Sequence, residues 1–479
     1  MLRAQNIQYE MADRTRAISC GGIGAFHVLA DRLGLIDELN GRLDLLRAHR
    51  PYHESDHVLN IAYNTLTGGT CLDDIALRRN DETYLDALGA ERIPAPTTAG
   101  DFTRRFTEAD VVALMDAINA VRVKVWRKRL PRRERREAIL DVDGTIAPTT
   151  GECKEGMDIA YNGVWGYHPL LVSLANTAEP LFLVNRPGSR PSHDGAPEVI
   201  DRAVALVRQA FRTVYLRGDT DFALTARFDG WSNAGVWFAF GIAAMPNLVE
   251  IAGGLDESRW RPLRRRVKRV AESDSRRRPE NVKERIIRER EYKNLRLVSE
   301  HIAEFPYRPG KCGRDYRIVV LRKNLSVERG ERVLFPEIRY FFYITNIEER
   351  SAAQIVTFCN DRCDQENVID QLKNGLNALR MPVGDLVSNW AYMVMASLAW
   401  TLKAWLALVL PVAGRWREKH ESQKRSVLRM EFGTFLNAFM RLPCQVVRKG
   451  RRLVYRLLSW NPWQWVFLRA VQAVRVLRC

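Results

Sequence analysis

The chain has 479 residues, 46% of them hydrophobic, with 74 Lys and Arg against 57 Asp and Glu and a formal charge of +17. That length predicts roughly two to four domains, and the apolar fraction excludes a chain too polar to build cores. The charge points to a polyanionic partner, most simply nucleic acid, with an anionic membrane surface as the other class. The eight cysteines are scattered with no CxxC pair, which predicts free thiols in a reducing cytosol rather than a cysteine zinc site.

In chain order, the first 22 residues lack the apolar core and small-residue cleavage site of a signal peptide. Residues 1–135 read as helical: "HVLNIAYNTLTGG" carries apolar residues at helical spacing and closes on two glycines, a C-cap signal. "PAPTTAGDFTRRF" reads as a turn and then a helix bearing Arg104 and Arg105, the second half of a helix-turn-helix that would touch DNA. The basic run "RKRLPRRERRE" then acts as a linker.

From Ala138 the pattern becomes strand-like. "AILDVDGTIAP", two runs in "HPLLVSLANTAEPLFLVNRPG", the helix "EVIDRAVALVRQAF", the strand "TVYLRGDTDFAL" and the strand "GVWFAFGIAA" follow one another, an order that predicts a mixed α/β layer fold. A very basic stretch (264–294) and alternating segments such as "DYRIVVLRKNL" predict an inserted antiparallel β unit over 250–350. "FCNDRCDQENVIDQLKNG" then reads as one helix. At ~100° per residue, Arg362, Glu366 and Lys373 share a face and Val368, Ile369, Leu372 and Leu376 line the other. The window "WAYMVMASLAWTLKAWLALVLPVAG" is apolar enough for a membrane, but Lys403 at its centre would cost ~3 kcal/mol there, so a buried core helix is expected. The segment 441–479 reads as a basic, aromatic tail.

Three acidic motifs carry the chemistry. Asp141 and Asp143 alternate on one side of a strand. Asp219 ends another strand, and Glu366 sits on a helix. Rigid strand ends and a helix can hold two hard divalent ions ~3.5–4 Å apart for phosphoryl transfer. "DVDGT" also matches the nucleophile motif of haloacid-dehalogenase-type phosphatases, in which Asp141 would be phosphorylated and Asp143 would act as acid/base. The downstream acids in "GDTDFALTARFD" have the wrong spacing for that family.

"DGT" at 143–145, "RGDTDF" at 217–222 and Arg362-x3-Glu366-x6-Lys373 together resemble the DDE transposases of bacterial insertion sequences. The similarity is greatest to the cut-and-paste group with a Tyr-x2-Arg-x3-Glu-x6-Lys signature, and within it to the thirteen-eighty insertion-sequence family. "YNGVWGYHPLL", "NRPG", "SDHVLNIAYNTLTGG" and "PTTAGDF" extend the resemblance over most of residues 50–400.

The resemblance implies an α/β, RNase H-like catalytic core in two parts (136–249 and 351–440), with a basic β-strand insertion (250–350) before the glutamate helix. A helical N-terminal DNA-binding region (1–135) precedes the core and the basic tail (441–479) follows it. It further implies Asp143, Asp219 and Glu366 as the metal triad for two Mg²⁺ (or Mn²⁺) ions, with Arg362 and Lys373 on the DNA end. Asp141 has no assigned role in that triad, and its place beside Asp143 reads as support for that ligand. The expected partners are double-stranded DNA (terminal inverted repeats and target) and a second copy on that DNA, with no membrane, in a nucleoid-associated cytoplasmic setting. Trp237 or an aromatic of the insertion would hold a flipped base. The signature tyrosine falls at Cys359, which leaves a catalytically inactive, DNA-binding relic as a further alternative.

Overall fold

The computed structural model describes residues 9, 15–265, 281–330, 332–458 and 460–477; part of the basic run 264–294 and the chain's first residues lie outside them. The centre is a nine-stranded mixed sheet. Its strands are β1 (Glu137–Gly144), β2 (Leu170–Leu174), β3 (Glu179–Val184), β4 (Thr213–Gly218), β5 (Val236–Ile242), β6 (Arg261–Pro262), β7 (Lys293–Tyr307), β8 (Tyr316–Arg329) and β9 (Arg332–Thr345). Across the sheet they run β6-β7-β8-β9-β5-β4-β1-β2-β3. β1, β4 and β5 are parallel neighbours, while β2 and β3 return antiparallel. β7, β8 and β9 form an antiparallel meander, and β9 pairs antiparallel with β5, so the meander widens the same sheet rather than forming a separate layer.

The helices used below are α1 (Glu54–Leu66), α2 (Pro96–Thr103), α3 (Glu108–Arg129), α4 (Ala196–Arg208), α5 (Ala352–Asn360), α6 (Cys363–Asp370), α7 (Leu386–Val409) and α8 (Gln464–Arg475). α2 starts on a Pro at its first turn, where the missing N–H costs nothing. It ends at Thr103, so Arg104 and Arg105 sit in the turn after the helix and not on it.

α7 is the apolar window of the sequence. It is long and apolar enough to cross a membrane, yet its whole apolar window is buried in this protein, against α1, α3 and β3. The 441–479 segment also folds back. Strand Cys444–Lys449 pairs with Arg16–Ile18 on one side and with Arg452–Leu457 on the other, and α8 buries Val466, Phe467, Ala470 and Val474.

A buried ion pair stitches the helices to the sheet edge. Arg122 of α3 donates to Glu179 of β3 (3.1 Å), to Pro180 O (2.9 Å) and to Thr401 Oγ1 of α7 (3.0 Å). Glu179 also takes the indole N–H groups of Trp126 (2.8 Å) and Trp405 (3.0 Å) and the Thr177 hydroxyl (2.6 Å). Such a carboxylate pays its desolvation through saturated hydrogen bonding.

Lys403 is the one apolar-helix residue that works against this core. Its ammonium lies over the Trp400 ring, 3.5 Å from the centroid, and donates to Leu428 O at 2.9 Å. Burial pulls its pKa from 10.5 down to about 7. The unfolded chain therefore binds the extra proton between about pH 7 and pH 10.5, and stability rises with pH across that window. Lys403→Met is expected to stabilise the protein at pH 6 by an amount on the order of a few kcal/mol. The gain should fade by pH 10, as read from urea midpoints at the two pH values.

Candidate active site

Two of the three acids are set by strand register. β1 and β4 run parallel with Asp141 opposite Arg217, so continuing that register puts Asp143 beside Asp219, about one strand spacing (~4.8 Å) away. Asp219 leaves β4 and caps a single turn over Thr220–Phe222, its Oδ1 accepting the Asp221 N–H at 3.0 Å. Gly144 has a steric reason: a Cβ there would lie 2.8 Å from His168 Nε2.

The helix that brings Glu366 differs from the single helix expected. α5 ends at Asn360, the chain tightens through Asp361 and Arg362, and α6 restarts at Cys363. The tightening shows in the Arg362 N–H to Cys359 O and Gln365 N–H to Arg362 O bonds, 3.3 and 2.8 Å, each three residues apart. The far end widens into a π turn over Gln371–Gly375, which holds Lys373; such turns sit at functional sites in many helices. Val368, Ile369, Leu372 and Leu376 are buried as the stripe predicted.

The break aims Arg362 at the strand acids. Its Nη1 donates to Asp143 Oδ2 at 2.8 Å, and its Nη2 lies 4.0 Å from Glu366 Oε1. Glu366 itself is 60% exposed, at the mouth of the site. Burial pushes the Asp143 carboxyl up to about 6, with Asp219 and Glu366 adding to the rise and Arg362 opposing it. Burial also raises Asp219, against Arg362. Lys373 is lowered by burial, and the pull of Asp143 opposes that shift. Three carboxylates converge here on one guanidinium and one partly buried ammonium. Their oxygen-only donor set fits a hard divalent cation.

Asp141 stays out of this trio. It is 1% exposed, and both of its oxygens take Arg217, Nη2 to Oδ2 at 3.0 Å and Nε to Oδ1. Arg217 Nη1 then donates to Phe358 O at 2.9 Å, tying the pair to the last turn of α5 just before Arg362. A carboxylate so enclosed cannot attack a phosphate ester, which removes the aspartyl-phosphate reading of "DVDGT". Cys359 packs in the core between α5 and the sheet with Tyr215, Ala239, Val319 and Leu321. Burial pushes its thiol up to about 12.

Other expected residues lie apart. Trp237 pairs with Tyr215 at the start of β5, four residues (~13 Å) down the strand from the level of Asp219. Arg104 pairs with Asp101 and lines a cleft of about 780 Å³ with Lys154 and Arg380. Arg105 donates to Leu45 O at 3.4 Å.

Two residues escaped the sequence reading. Arg217 was foreseeable, because a buried strand acid needs a cation across the ladder. His168 was not. It is buried on the loop before β2, and its Nδ1 lies 2.8 Å from Arg190 O. Because a carbonyl only accepts, Nδ1 carries the proton and Nε2 keeps its lone pair beside Gly144. Burial lowers the pKa of its ring.

The mixed sheet and the convergent acids define an α/β protein with a carboxylate site, and the comparisons with known proteins give the class. The chain belongs to the family described as transposase DDE domain group 1, whose model matches residues 3–479. It is accordingly an enzyme of the polynucleotidyl-transferase and endonuclease type, a class that normally uses divalent metal ions. No curated protein matches the chain. Among nine similar chains of solved structures is one described as a piggyBac transposase synaptic complex with hairpin DNA. It is 10% identical with a TM-score of 0.38, over 89% of this chain and 84% of that one.

Proposed function

We propose that the protein is a cut-and-paste DDE transposase of the thirteen-eighty insertion-sequence type, acting on double-stranded DNA. In this reading it binds the inverted-repeat ends of its own element, cleaves there, and joins the freed 3′-hydroxyls to target DNA. The observation that carries the reading is the meeting of Asp143, Asp219 and Glu366 with Arg362 at one end of the central sheet. The run β1–β2–β3, then α4, then parallel β4 and β5, supports an RNase H-like core interrupted by the β7–β9 meander.

Asp143, Asp219 and Glu366 would hold two Mg²⁺ (or Mn²⁺) ions. When bound, these would activate the attacking oxygen and stabilise the leaving one. Arg362, in the break before α6, and Lys373, in the π turn after it, face the same carboxylates, placed to take phosphate oxygens as charge-assisted partners. Asp141 and Arg217 hold the α5 end that aims Arg362. The turn with Arg104 and Arg105 and the basic meander would hold the DNA backbone away from the cut, and synapsis of two ends calls for two copies.

The test is a labelled duplex carrying the inverted repeat that flanks the coding region. Mg²⁺-dependent cleavage at the repeat boundary, leaving a 3′-hydroxyl and absent on a shuffled duplex, is the expected result. Tight binding of the repeat without any cleavage would instead identify the inactive relic.

A companion expectation concerns stability. The ionised form of Asp143 is disfavoured in the fold, because its carboxyl is raised to about 6. Without metal at pH 7.5, Asp143→Asn should therefore melt at or above the wild-type temperature. Adding Mg²⁺ should raise the wild-type melting temperature but not that of the variant.

A further inference from the structure

The irregular segment 43–53, ahead of α1, carries a cluster with no part in the reading above. His49, His53 and Glu54 offer three ligand atoms that all lie within 4.8 Å of one another. Glu54 is 1% exposed. Its Oε1 accepts the N–H groups of Leu45 and Leu46 at 3.1 Å each, and its Oε2 faces His49 Nδ1 at 3.3 Å. Among the described residues no Lys or Arg pairs with it. A buried carboxylate needs a cation, and an imidazole supplies charge only when protonated.

The two rings stack on one another beside this carboxylate. Their centres are 5.4 Å apart and their planes lie within 12° of parallel. Both histidines are exposed, which leaves a fourth position open to water. Two nitrogens and a carboxylate oxygen suit zinc, and they differ from the oxygen-only set that suits magnesium.

We propose that His49, His53 and Glu54 form a zinc site that clamps the 43–53 segment onto the first turn of α1. The segment carries exposed Arg47 and Arg50, which line one cleft with Arg105 and with Phe102, on which His57 stacks at 4.3 Å. Zinc thus fixes where this group of cations stands. The site is independent of the transposase reading and needs no DNA.

The experiment uses the full-length chain stripped with a chelator and kept in millimolar Mg²⁺, so that the carboxylate trio is supplied with its preferred ion. Zinc is titrated in competition with a chromophoric chelator, on wild type and on the double variant His49→Ala, His53→Ala. The exposed positions keep that variant folded. Wild type is expected to take up one more equivalent of zinc than the variant. Zinc should also slow tryptic cleavage after Arg47 at least tenfold in wild type alone. Equal zinc uptake by the two proteins, or equal protection from trypsin, overturns the proposal.

Discussion

Glu366→Ala is expected to lower the rate of inverted-repeat cleavage in saturating Mg²⁺ by about 10³-fold or more, a loss of about 4 kcal/mol of transition-state stabilisation. The fold should not suffer, because Glu366 is 60% exposed and surface substitutions of this kind shift stability by about 0.5 kcal/mol or less. Binding of the repeat should survive, since the contacts proposed for the DNA backbone come from other residues. The informative comparison is therefore cleavage rate against binding in one preparation. A variant that cleaves at the wild-type rate would remove the carboxylate trio from the mechanism and leave the family assignment standing.

The second large effect falls on the buried pair behind the site. Arg217→Leu strands the Asp141 carboxylate in a closed interior, and Asp141→Leu strands the guanidinium; each should cost about 3–5 kcal/mol. Burial already raises the Asp141 carboxyl and Arg217 pulls against that rise. With Arg217 gone, Asp141 can escape its charge by protonation, so Arg217→Leu should be less harmful at pH 5 than at pH 8. The double variant Asp141→Leu, Arg217→Met should recover much of the stability in denaturant titrations, since apolar replacement of a buried pair is often neutral. It should still cleave slowly, because Phe358 O loses its anchor and Arg362 its aim. Full activity in a stable double variant would show that the pair serves stability alone.

How far these features were legible in the sequence follows from the physics of each. Asp143 and Asp219 were readable because strand alternation and strand ends are local properties of a few residues. The buried stripe Val368, Ile369, Leu372 and Leu376 was readable from helical spacing. The break at Asp361–Arg362 was not, because nothing in "NDRC" is a helix breaker and the kink answers to Asp143, 219 residues away. His168 depends on a loop carbonyl at Arg190 and the strand end at Gly144 meeting around it. The distance of Trp237 from the acids was not readable, because it depends on strand direction, which periodicity does not encode. The 441–479 segment looked like a free tail because its apolar residues find their partners in Arg16–Ile18 and α7. His49, His53 and Glu54 are near neighbours in the chain, yet a search keyed to cysteine spacing passes over them.

The Arg122–Glu179 junction has a consequence for where DNA is cut. Through it, α3, which follows the Arg104–Arg105 turn proposed to hold DNA, is pinned to the edge of the sheet that carries the acids, like two jaws of one caliper. The cut should then fall a constant number of base pairs from the gripped sequence. A duplex with extra base pairs between the two should be bound as before and left uncut.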